Sequence, residues 1–328
     1  MPSFAIDCYD PRPPGEAIAV RHGDAEFRFV FAPRAKKGMV FHAGLFVDEA
    51  AANTRACYRY PRSRRICLLK ESPIKPFYGQ VDIFEKRYDQ VFTFDRQLLD
   101  RGSPFQLLYY GSSWLGNGWQ AVNCENTSKT KLVSFIGNIE HEDAHGYALR
   151  RQVALCLQRD GRAECFGRGI RWIGSKLEGL QPFCFSVAME NTQKDYYFTE
   201  KLVDCLLTET VPVYWGCPSL GGLFDLRGVL PFDTLDELLA VLGSLSVERY
   251  RAMLPFVQRN KQLVLDNHWE SNEGLFYRLA SHLSRWLDPR PGFRKHLRGR
   301  PAAVVRWLMS AGFLERRCRA PASPHALG

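Results

Sequence analysis

Residues 183–220 constrain this chain more than any other stretch. Phe183, Phe185 and Val187 open an apolar run of strand length, and a polar loop at 190–195 follows it. Leu202, Val203, Leu206 and Leu207 then recur at helical spacing, behind Thr199 in a capping position and Glu200 in the first turn. Residues 211–215 form a second apolar run that ends at Gly216. Strand, loop, helix and strand in so short a span predict a βαβ unit, with a right-handed crossover. Its loop leaves the carboxyl end of a strand and enters a helix N-terminus. Parallel α/β sheets take their ligands there, and amide groups with the helix dipole draw phosphate.

The same residues carry a resemblance. Glu190-Asn191-Thr192-Gln193, then Tyr197-x-Thr199-Glu200-Lys201, then 211–216 followed by Pro218-Ser219, resemble the donor-binding segment of the α1,3/1,4-fucosyltransferases, glycosyltransferase family ten. The resemblance is dense over about residues 131–225. It implies a GT-B fold, two Rossmann-like α/β domains facing across a cleft, with GDP-L-fucose as donor and a glycan containing N-acetylglucosamine as acceptor. It also implies that no cofactor or metal is required. Animal members are anchored in the Golgi. This chain opens without a basic and apolar leader and has no apolar run of spanning length, so a bacterial or viral soluble type, cytoplasmic and at most peripheral to a membrane, is expected.

Patterning elsewhere fits that architecture. Runs at 27–31, 64–69, 90–94 and 105–110 read as strands of a first α/β domain, 1–128. A stretch rich in Gly, Ser and Asn at 111–130 reads as the connection. The second domain, 129–275, opens with a strand ending at Gly137, a helix over 148–157 and a short strand at 165–169. Helices follow at 235–245 and 247–264, the first capped by Asp233 or Thr234. Residues 276–328 read as a helical tail. Between 285 and 319 it holds ten basic and two acidic residues, so it supplies +8 of the net +9. Apolar residues among those charges suit an anionic membrane surface, while the simpler alternative is a solvated helix packed on the body. Basic and aromatic residues are not interleaved as nucleic-acid modules require, so no nucleic-acid partner is expected. The ten cysteines form no Cys-x-x-Cys pair and sit largely in apolar runs, as reduced buried thiols do.

Sugar transfer from a nucleotide diphosphate needs a base for the acceptor hydroxyl and positive charge for the leaving group. Glu71 is the candidate base: it ends a strand, and Pro73 holds Ser72 extended. The family resemblance places the catalytic glutamate at this Glu-Ser-Pro. Lys201, in the first turn of its helix, and Arg150, on which the family's phosphate-binding arginine falls, are the candidates for the diphosphate. Arg151 lies next door, and a helix-surface cation is the plain alternative for each. Glu200 is placed to accept from ribose hydroxyls. Glu190, Asn191 and Tyr197 match family residues around nucleotide and sugar, and Asn138 and Ser134 could touch the nucleotide from the first strand of the domain. His141-Glu142-Asp143-Ala144-His145 fits a zinc-protease pattern, but its acidic surroundings and Gly146 argue against a helix with both histidines on one apolar face.

Overall fold

The computed structural model describes residues 2–116, 129–140 and 146–288. The histidine pattern at 141–145 and the tail from 289 onward lie outside the described residues. Met1–Phe293 form one compact unit with two sheets.

The first sheet has seven strands: β1 (Ser3–Tyr9), β2 (Ala17–His22), β3 (Ala25–Val30), β4 (Ala43–Val47), β5 (Arg65–Leu68), β6 (Gln90–Thr93) and β7 (Phe105–Leu107). Their order is β2-β3-β1-β4-β5-β6-β7, parallel throughout except for the β2–β3 hairpin. Gly23, at φ 55°, takes the first position of that hairpin's two-residue turn, where glycine avoids a steric penalty. Alternation along each strand builds two cores. Leu45, Val47, Ile66 and Leu68 pack on one face, and Phe46, Cys67 and Val91 on the other. The second face is covered by short helices α1 (Glu49–Asn53), α2 (Val81–Arg87) and α3 (Arg96–Leu99), through Ala51, Phe84 and Leu98.

The second sheet is wholly parallel, with β8 (Lys131–Ile136), β9 (Glu164–Phe166), β10 (Phe183–Met189), β11 (Val211–Trp215) and β12 (Leu230–Pro231) in the order β12-β11-β10-β8-β9. Its connecting helices are α4 (Gly146–Asp160), α5 (Lys176–Leu180), α6 (Glu200–Leu207), α7 (Leu235–Gly243) and α8 (Val247–Asp266). Every residue of β10 and β11 is buried, as the unbroken apolar runs predict for strands covered on both faces. After β8 the chain moves out to β9, then returns to the other side of β8 for β10. Strand order therefore reverses between β8 and β10, and their carboxyl ends are the switch point of a doubly wound sheet.

A last helix, α9 (Asn272–Leu283), returns to the first sheet. Leu275, Phe276, Leu279, Ala280 and Leu283 join the core beside β2 and β3, with Phe276 ring centroids 4.9 Å from Phe29 and 5.5 Å from Phe31. The boundary expected at 275/276 thus falls inside α9. No helix among the described residues is long and apolar enough to cross a membrane.

Candidate active site

The site is built at the β8–β10 switch point. β10 ends at Met189, so Glu190 and Asn191 leave at the carboxyl edge, beside Gly137 and Asn138 at the end of β8. Glu190 is completely buried. Its carboxylate accepts from the Thr199 amide at 2.8 Å and from the Thr199 hydroxyl at 2.7 Å, and it stands 3.3 Å from the Lys201 ammonium. Glu190 and the capping Thr199 thus occupy the mouth of α6 themselves. What remains for an anion is the dipole and the Lys201 ammonium.

Lys201 Nζ lies 3.0 Å from both the Thr199 hydroxyl and Glu200 Oε1. Burial works to lower its pKa, but Glu190 and Glu200 prevail, and it rises above the ordinary lysine value. Glu200 is buried as well; burial works to raise its pKa, yet Lys201 and Lys176 hold it down to about 2. Lys176, from α5, sits 3.8 Å from Glu200 and 2.8 Å from Asp204, and it shares a small crevice of about 20 Å³ with Lys201, Ile136 and Ser186. Two ammonium groups therefore line one crevice at the switch point. Nothing in the sequence marks Lys176, because its helix is a single turn.

Arg150 reaches in from α4. Its guanidinium donates to the Met189 carbonyl at 2.8 Å and lies over the Tyr147 ring, 5.1 Å from the centroid. Burial lowers its pKa, while Glu190 and Tyr147 work to raise it. Asn191 accepts from the Tyr197 hydroxyl at 2.9 Å and donates to that of Tyr147 at 3.4 Å, and its carbonyl takes the Gly146 amide at 3.1 Å. A Cβ at Gly146 would meet Trp215 at 2.6 Å, and one at Gly216 would meet Glu190 Cγ at 2.7 Å, so both glycines let backbone close on the site. Asn138 is partly exposed and its side chain accepts from the Glu140 amide at 2.9 Å. Ser134 instead pairs with Ser186 at 2.9 Å inside the sheet.

Glu71 belongs to the other sheet, three residues beyond β5. Its carboxylate, about a quarter exposed, pairs with the exposed Arg12 guanidinium. Its amide donates to Asp48 Oδ1 at 3.1 Å, and its carbonyl accepts from the Tyr78 hydroxyl at 2.8 Å. The neighbouring Ser72 is buried, and its hydroxyl makes no hydrogen bond to another described residue. Tyr197 packs on Phe94 of the first lobe, centroids 5.0 Å apart. The Tyr110 phenol, raised by burial and lowered by Lys70, feels Glu200 and Glu71 as well. It therefore lies within electrostatic reach of both carboxylates. Arg150, Glu190, Asn191, Tyr197, Glu200 and Lys201 form one connected cluster, and the lobe that bears Glu71 touches it through Phe94 on Tyr197. Arg12, Asp48, Tyr78 and Lys176 had no sequence signal of their own. Among the described residues, no group of three His, Cys, Asp or Glu side chains is arranged to hold a metal ion.

Residues 126–223 match the family model for the C-terminal part of glycosyltransferase family 10, the fucosyltransferases. An α-(1,3)-fucosyltransferase of Helicobacter pylori is 32% identical over 97 residues, 29% of this chain and 20% of that protein. The match therefore spans about a fifth of that relative's own length. A crystal structure of an α1,3-fucosyltransferase superposes with a TM-score of 0.52 at 16% identity, over 77% of this chain and 81% of that one. One solved with GDP-fucose gives a TM-score of 0.50 at 16% identity, over 83% and 92%. The fold is that of the GT-B glycosyltransferases, as the resemblance implied.

Proposed function

We propose, from the family-10 match, that this chain is an inverting glycosyltransferase that moves L-fucose from GDP-fucose to a hydroxyl of an N-acetylglucosamine-containing glycan, forming an α1,3 or α1,4 linkage. One observation carries this reading: the lobe that bears Glu71 meets the 190–201 segment of the other, with the Phe94 and Tyr197 ring centroids 5.0 Å apart. A lone carboxylate and a cation-lined switch point are what such a transfer asks for.

On this reading Glu71 takes the proton of the acceptor hydroxyl as its oxygen attacks the anomeric carbon. The bond from that carbon to the β-phosphate oxygen breaks, and its electron pair leaves on GDP. Lys201 and Arg150 hold the departing diphosphate, with Lys176 at the edge of the crevice. The three supply the positive charge that a metal ion provides in other transferases. Glu200, ionised at any working pH, accepts from the ribose hydroxyls, and Asn191, Tyr197 and Asn138 complete the donor contacts. Glu190, engaged with Thr199 and Lys201, fixes that ammonium beside the donor. Arg12 holds the Glu71 carboxylate until an acceptor takes its place. The basic stretch at 285–319 contacts an anionic membrane surface, which co-sedimentation with phosphatidylserine vesicles checks.

Glu71→Gln is expected to lower turnover by about 10²-fold or more, with GDP affinity by calorimetry unchanged. Near-normal turnover in that variant would falsify the assignment. Donor identity is read separately: among a panel of nucleotide sugars, GDP-fucose should raise the melting temperature most.

A further inference from the structure

We infer that Asp48 and Tyr78 are positioning residues for Glu71, gripping the peptide units on its two sides so that its carboxylate is held at the junction with the 190–201 segment. The inference rests on the proposed role of Glu71 and adds the parts that aim it.

Asp48 stands immediately before α1, in the N-cap position. There a short carboxylate ordinarily accepts from its own helix's amides. This one makes no such bond. Oδ1 turns instead to a strand end twenty-two residues away and accepts from the Lys70 amide at 2.9 Å and the Glu71 amide at 3.1 Å. The residue is buried, and its backbone is strained: φ is 50° and ψ −121°, where glycine is at ease and aspartate is not. Its own amide is tied to the Leu68 carbonyl at 2.9 Å, at the end of the same strand. A strained conformation and a forgone cap are both accounted for by delivery of one oxygen to the Glu71 turn. From the other side the buried Tyr78 hydroxyl donates to the Glu71 carbonyl at 2.8 Å. The amide and the carbonyl of the candidate base are thus each held by a side chain from a different element. Burial pushes the Asp48 carboxyl up to about 7 against the pull of both amides, which marks how costly its placement is.

The test separates the carboxylate from the backbone. Asp48→Gly relieves the strained φ but removes the acceptor, whereas Asp48→Asn keeps an Oδ1 and the same backbone strain as the aspartate. With GDP-fucose and a glycan acceptor, Asp48→Gly is expected to lower kcat by roughly 30- to 100-fold, as misplacement of a reacting group does, with the donor KM within about twofold. Asp48→Asn recovers most of that loss. Tyr78→Phe costs about 5- to 10-fold in kcat, and neither change lowers turnover further in a Glu71→Gln background, the mark of residues acting through one group. If Glu71→Gln abolishes turnover while Asp48→Gly leaves kcat intact, the inference is wrong. If Asp48→Gly does not fold, Tyr78→Phe decides: an unchanged kcat, or a loss that persists in the Glu71→Gln background, overturns it. Should Glu71→Gln itself keep its turnover, what fails is the assignment of the base, a different result.

Discussion

Two buried carboxylates on opposite sides of the site are tuned in opposite directions. Glu200 is pulled down to about 2 because Lys201 and Lys176 outweigh burial. A depressed carboxylate stabilises the fold above its unfolded pKa, and that contribution is lost as pH falls from about 4.5 through 2. Asp48 is pushed by burial from an ordinary 3.8 to about 7. The folded chain then holds a proton that the unfolded chain releases near 3.8. The penalty is absent below that pH, grows between 4 and 7 and is complete above 7, on the order of 4 kcal/mol. Between pH 5 and 8 only Asp48 of the pair gives a slope, and stability through it falls as pH rises. His42 and His282, both lowered by burial, slope the other way, so the measurement is a difference. Urea midpoints of the wild type and Asp48→Asn at pH 5 and pH 8 are expected to diverge, with the variant gaining relative stability at pH 8. Parallel pH profiles would mean that Asp48 is ionised in the fold at no cost.

At the scale of elements, the site depends on how closely helices press on strand ends. Gly146 opens α4 against the ring of Trp215 and the carbonyl of Asn191, at distances of 2.6 and 2.9 Å from any added Cβ. Gly146→Ala must therefore shift the first turn of α4, and with it Tyr147 and, one turn on, Arg150. The expected cost is about 1–3 kcal/mol of stability together with weaker GDP binding by calorimetry; a stable variant with native GDP affinity would show that α4 has room to spare. How far such elements could be read in advance follows from where their determinants lie. β10, α6 and β11 were legible because unbroken apolar runs, a threonine cap and a helical period are local signals, and Lys201 and Glu200 came with them. β4 was not, since Ala43 and Gly44 dilute its pattern; Gly44 is small because a Cβ would meet the Tyr60 ring at 2.7 Å, a contact sixteen residues away. Asp48 and Lys176 acquire their roles only through such distant contacts, so no window of sequence around either one reveals them.

Over the whole molecule, the two lobes are joined where the chain crosses twice. It passes from the first sheet to the second through Tyr109, Tyr110 and Gly111, and returns through Asn267, His268 and Trp269. One buried guanidinium holds both crossings. Arg278 Nη2 donates to the Tyr110 carbonyl at 2.8 Å and to those of Tyr109 and Gly111 at 3.3 Å, while Nη1 donates to the Asn267 carbonyl at 3.3 Å and to His268. Burial draws its pKa down to about 9, with Glu270 and Tyr110 opposing. Trp269 fills the space above Gly111, where a Cβ would lie 2.6 Å from its ring. Because Arg278 sits on α9, the helix that covers the first sheet is also the clasp between lobes, and loosening either lobe strains the other. The wild type is therefore expected to unfold in a single calorimetric transition that GDP raises as a whole. Arg278→Met keeps the length and packing of the side chain but leaves the crossing carbonyls without their shared donor. It should split the endotherm in two, with GDP moving only the transition of the lobe that carries Lys201 and Arg150. One transition in the variant, still raised entire by GDP, would show that apolar packing of α9 and Trp269 joins the lobes without the guanidinium.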